Sequence, residues 1–151
     1  MTKRVLAVVL AATAVCAGAQ QVKPEDQLKL RKAAYSMMNY TLGSLDKMAE
    51  GKIPYAKDEA VRNADLLALL ATVPKGFFGE GTDKVGETRA KPEIWTHRAD
   101  FDAKMDKMMK EAAKLPQVAR SGDLAALKKA VEEVDSACGA CHDEYRVKRK
   151  G

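Results

Sequence analysis

Cys138-Gly139-Ala140-Cys141-His142 falls on a stripe of apolar residues near the end of the chain. Leu124, Leu127, Val131, Val134, Cys138, Cys141 and Tyr145 recur at alternating steps of three and four, the period of one helix face. On such a helix two thiols three residues apart point the same way. His142, four residues after Cys138, stays with them. Two cysteines in this spacing followed directly by histidine match covalent attachment of a c-type haem. Both sulfurs reach vinyl groups of one porphyrin, and the imidazole of His142 is the candidate ligand for the iron. The small side chains of Gly139 and Ala140 let a macrocycle lie close to the backbone.

Such a pair has three other uses in proteins. Zinc needs about four ligands, and past the N-terminal segment the only other histidine or cysteine is His97. A thioredoxin-like redox pair belongs in an α/β setting, and no strand pattern is visible. A structural disulfide between Cys138 and Cys141 is the remaining rival.

The helical pattern extends over most of the chain. A first helix is expected from Pro24, with Glu25 and Asp26 in its opening turn, to a cap at Gly51. Its inward stripe reads Leu28, Arg31, Tyr35, Met38, Leu42, Leu45 and Ala49. After a turn at Ile53-Pro54-Tyr55, a second helix is expected from Lys57 to Val73. Lys75 to Lys91 holds four glycines and reads as the longest loop, a kind of segment that often carries function. A third helix should open at Pro92 and run toward Leu115, with Ile94, Arg98, Phe101, Met105, Met108, Ala112 and Leu115 inward and Pro116 ending or kinking it. Asp123 is the expected N-cap of the last helix. Four helices with no strand signal predict an all-α fold, an antiparallel four-helix bundle with a covalently bound haem in its core.

The N-terminus reads as a secretory signal: Lys3 and Arg4, an uncharged apolar run over Val5 to Val15, and the small-x-small site Ala17-Gly18-Ala19. Cleavage after Ala19 would leave residues 20–151 as one domain and discard Cys16. The run is too short for a comfortable transmembrane span, so periplasmic localisation without membrane insertion is expected. The formal net charge of +5 falls by two with Lys3 and Arg4. So mild a basicity, interleaved with acids, gives no argument for nucleic acid. No nucleophile–base constellation suggests an enzyme.

The group facing the iron should come from the first helix. Arg31 interrupts an apolar stripe, and a buried guanidinium needs an anion or a hydrogen-bonded escape. A haem propionate is the favoured partner; snorkelling to the rim or pairing with a carboxylate on another helix are the alternatives. Tyr35 would make a tight, mostly apolar pocket with one hydroxyl. Met38 would either pack on the porphyrin or supply a thioether sixth ligand. His97 reads as exposed.

At this point the chain resembles the cytochrome c′ family along essentially its whole mature length. The likeness rests on Lys23-Pro24-Glu25-Asp26, Arg31, Phe78-Gly79, Gly81-Thr82, Pro92-Glu93-Ile94-Trp95 and Cys138-Gly139-Ala140-Cys141-His142 with Tyr145-Arg146. The resemblance implies haem c attached through Cys138 and Cys141, with His142 the only strong axial ligand. It also implies Arg31 at a propionate with Lys32 beside it, Tyr35 as a bulky non-coordinating distal residue, and Met38 packed on the haem. Thr82 and Asp83 would come near the haem edge, and Arg146 would sit near His142. Lys32 departs from the family, which often has an uncharged polar residue there. Small diatomic gases, an unknown redox partner protein and a second copy of the chain are the implied partners, with Leu30, Met37 and Leu45 as candidate homodimer contacts. The rival function is a six-coordinate electron carrier with Met38 on the iron.

Overall fold

Four of the expected apolar stretches become four long helices. The computed structural model describes residues 22–148. Helix α1 spans Pro24–Ala49, α2 Lys57–Ala71, α3 Glu93–Thr96, α4 Arg98–Ala112, α5 Leu115–Ser121 and α6 Leu124–Tyr145. The long helices pack in a ring, α1 on α2, α2 on α4, α4 on α6 and α6 on α1, which makes an antiparallel four-helix bundle. No strand is named among the described residues; one isolated bridge pairs Ala90 with Arg146. The signal-like segment lies outside the described residues.

Local chemistry sets the ends. Helix α1 begins with Pro24 and acids at Glu25 and Asp26. It ends in a Schellman turn: Gly51 takes φ 71°, Lys52 N donates to Lys47 O at 2.8 Å, and Gly51 N donates to Met48 O at 3.2 Å. Asp123 caps α6, its Oδ1 accepting from the backbone N–H of Ala125 at 2.9 Å and of Ala126 at 3.0 Å.

Four expectations need correction. The third helix is not continuous. It breaks at His97, whose φ of −113° and ψ of 45° separate the single turn α3 from α4. Pro116 does not end a helix but starts one. It sits in the first turn of α5, where its missing N–H is no loss. At the chain positions read as inward, Leu124 is 41 % exposed because it is the first residue of α6, where the stripe has not yet reached the bundle. Leu45 is 0 % exposed, so it belongs to the core and is unavailable to a dimer face. Its neighbours there include Met48, Leu67, Phe101, Leu115, Leu127 and Val134.

Candidate functional site

Helix α6 carries Cys138, Cys141 and His142 into one side of a cavity of about 1500 Å³. That exceeds the roughly 300–1,000 Å³ of common small-molecule pockets. Helix α1 forms the facing wall with Arg31, Lys32, Tyr35 and Met38. Helix α4 adds Phe101, Met105 and Met108, and the loop after α2 adds Asp83 and residues 86–90.

The thiols of Cys138 and Cys141 are free and half-buried. Burial, reinforced by Asp135 and Cys141, pushes the Cys138 thiol up to about 11. Burial likewise raises Cys141. Both are therefore neutral thiols near pH 7, unlike the thiolates that bind zinc. Among the described residues no group of three or more histidine, cysteine or acidic side chains is placed to hold a metal ion. Burial lowers the His142 pKa, helped by the positive charges of Arg146 and Arg89. The imidazole is thereby kept neutral, the form that ligates a metal. His142 also borders a second hollow of about 340 Å³, lined by Arg89, Asp143, Arg146 and Lys148 as well.

Arg31 is 2 % exposed, which excludes snorkelling, and no carboxylate among the described residues pairs with it. Its Nη1 donates to Phe77 O at 3.0 Å. Its Nη2 donates to Thr82 O at 3.2 Å and to Thr88 Oγ1 at 3.3 Å. The guanidinium also lies 4.5 Å from the centre of the Phe78 ring. Burial lowers its pKa, yet an arginine stays charged under such pressure.

The other expected residues divide. Lys32 is exposed at the wall, its Nζ donating to Glu87 O at 3.4 Å. Met38 is buried on the cavity lining. Tyr35 lies on the same wall, its hydroxyl donating to Met105 Sδ at 3.8 Å. Asp83 and Arg146 line the cavity. Thr82 does not; it is 0 % exposed behind the loop wall, with Oγ1 donating to Gly79 O at 2.8 Å. His97 is exposed and away from the cavity lining.

Sequence reasoning missed how the loop is fastened. Lys91 N donates to Tyr145 O at 3.0 Å and Val147 N to Arg89 O at 2.8 Å. Lys91 Nζ adds a bond to Glu144 O at 2.7 Å, capping the end of α6. Thr88 and Arg89, which line the cavity, carried no local signal beyond lying in a glycine-rich segment. Tyr145, which also lines it, is marked in the sequence by the apolar stripe and by the Tyr145-Arg146 motif, neither of which assigns its hydroxyl; that hydroxyl donates to Asp100 Oδ2 at 2.6 Å.

Two vinyl-reactive thiols, a neutral imidazole, apolar walls and a buried cation at one side fit a porphyrin with its propionates. Comparisons with known proteins agree. A family profile described as Cytochrome C′ matches residues 26–146. Cytochrome c′ of Rubrivivax gelatinosus is 37 % identical over 83 % of this chain and 98 % of its own length. The crystal structure of that protein superposes with a TM-score of 0.81 over 85 % of this chain and all of the other. A nitric oxide complex of a variant cytochrome c prime from Alcaligenes xylosoxidans, 35 % identical, gives a TM-score of 0.78 over 86 % of this chain and all of the other. Cytochrome c prime from Shewanella frigidimarina, 33 % identical, gives 0.80 over 85 % of this chain and all of the other.

Proposed function

The chain belongs to the cytochrome c′ family, and from that membership we propose a periplasmic c-type haem protein with a five-coordinate, high-spin iron open to small diatomic gases. Residues 1–19 would be the cleaved export signal and residues 20–151 the mature domain. Cys138 and Cys141 would form the two thioether links and His142 the single axial bond. When bound, the haem supplies an iron that takes nitric oxide or carbon monoxide or passes single electrons to a redox partner protein.

The chain's own residues do the rest. His142 enters as a neutral imidazole, biased that way by burial and by Arg146. Arg31 and Lys32 offer positive charge to the propionates. Asp83 stands at the loop edge of the cavity and Thr82 supports that edge from behind. Tyr35 and Met38 stand on the α1 wall of the cavity that His142 enters from α6, and would narrow the space on that side. The observation that carries the reading is this wall: α1 presents Tyr35 and Met38 to the cavity, and no imidazole.

An absorption and resonance Raman spectrum of the ferric and ferrous protein tests it. High-spin five-coordinate signatures are expected, with an intact mass that includes one covalent haem. The second reading, a six-coordinate electron carrier, rests on Met38, which lies buried on the cavity lining near Tyr35. Met38→Ala separates the two: a spectrum that barely changes removes the sixth ligand, whereas a low-spin spectrum lost on substitution establishes it.

Leu30, Met37 and Tyr40 on α1 and Leu66 and Leu69 on α2 are exposed. We take these exposed apolar side chains as the candidate contacts through which two copies would associate as a homodimer. Sedimentation giving only a monomer at high concentration overturns that assembly.

A further inference from the structure

Tyr35 brings a polar donor into an otherwise apolar part of the cavity. Met38, Leu42, Leu67, Phe101, Met105 and Met108 surround the same space. Among the described residues its hydroxyl has one acceptor, the Met105 thioether at 3.8 Å. Thioether sulfur accepts hydrogen bonds weakly. The O–H is therefore held but poorly satisfied, in surroundings where a better acceptor is worth more than it is in water.

Several other donors on the lining are engaged or exposed. Arg31 is committed to the loop through Phe77, Thr82 and Thr88. Lys32, Ser36 and Asn39 are exposed. The thiols of Cys138 and Cys141 are those assigned to attachment. Tyr35 lines the same cavity as both cysteines, and burial keeps it protonated. It is thus a neutral hydroxyl on the cavity lining with a proton to give.

We infer that the Tyr35 hydroxyl discriminates among the gases, leaving Met105 to donate a hydrogen bond to diatomic ligands that carry negative charge on their outer atom. Cyanide belongs to that class; carbon monoxide, with little charge there, gains least. Met105 Sδ is the resting acceptor that the ligand displaces. The inference rests on the open-iron reading given above.

The test uses the haem-loaded protein, with cyanide for the ferric form and carbon monoxide for the ferrous form. Tyr35→Phe removes one oxygen and keeps the ring. It is expected to weaken cyanide relative to carbon monoxide by about two- to tenfold, the worth of one hydrogen bond. It is also expected to raise the C–O stretching frequency of the carbon monoxide complex. Met105→Leu removes the resting acceptor and should shift the ratio toward cyanide. That shift should vanish when Tyr35→Phe is added. An unchanged ratio and stretch in Tyr35→Phe overturn the inference while the open site stands. A wild-type protein that takes up neither probe overturns both. Should Tyr35→Phe fail to fold, Met105→Leu decides alone, and a ratio that does not move toward cyanide counts against the inference.

Discussion

Arg31 Nη2 and Thr88 Oγ1 meet at 3.3 Å across a separation of 57 residues. The same guanidinium holds the carbonyls of Phe77 and Thr82. A residue of α1 thus fixes the loop that walls the cavity, besides bringing positive charge to the cavity lining.

Arg31→Lys separates these two duties, because lysine keeps the charge and loses the fork of donors. It should leave loop carbonyls poorly met and lower stability by about 1–3 kcal/mol. Trypsin should then cut faster at Lys84 and Arg89. A denaturation curve and a digestion time course of the haem-loaded protein check this. Unchanged behaviour in both would show that the fork is dispensable.

Leu127 is buried in the bundle core away from the cavity lining. Leu127→Ala should cost about 2–5 kcal/mol through lost burial and the void left behind. The visible spectrum should stay as it was. A spectrum that moves with the substitution would mean that the core and the site are not separable.

Asp123 satisfies two backbone N–H groups at the start of α6. Asp123→Ala should cost about 0.5–2 kcal/mol, and Asp123→Asn much less, since the amide oxygen still accepts. Thermal unfolding of the two variants side by side measures the difference.

Two glycines should respond in opposite directions. Gly86 takes φ 57°, and a Cβ there would meet Leu28 Cδ2 at 2.9 Å. Gly86→Ala should therefore destabilise by about 1–2 kcal/mol from backbone strain alone. Gly43 lies inside α1 with nothing within 4 Å of an added Cβ. Gly43→Ala should stabilise by about 0.5–1 kcal/mol. Equal signs in denaturant titrations would refute the assignment of strain to Gly86.

The bundle was legible because three-and-four spacing needs only neighbours a turn apart, and it marked α1, α2, α4 and α6. Cys138, Cys141 and His142 were legible for the same reason: their geometry is local to one helix. The break at His97 was not, since the residues around it fit either a straight or a broken helix. Pro116 was ambiguous because proline both ends and begins helices, and only packing decides which. Arg31 was marked by its polarity, but its partners lie in a loop about which periodicity says nothing. The Ala90–Arg146 bridge joins segments far apart in the chain with no alternating pattern in either.

The glycine-rich loop is anchored at both extremities, to α1 through Arg31 and to the end of α6 through the Ala90–Arg146 bridge. It therefore acts as a tie-rod between two neighbouring helices that wall the cavity. Prising those helices apart must either tear the guanidinium from its acceptors or unpair the chain beyond Tyr145. The width of the cavity on this side is accordingly limited by the covalent length of the loop between its two fastenings.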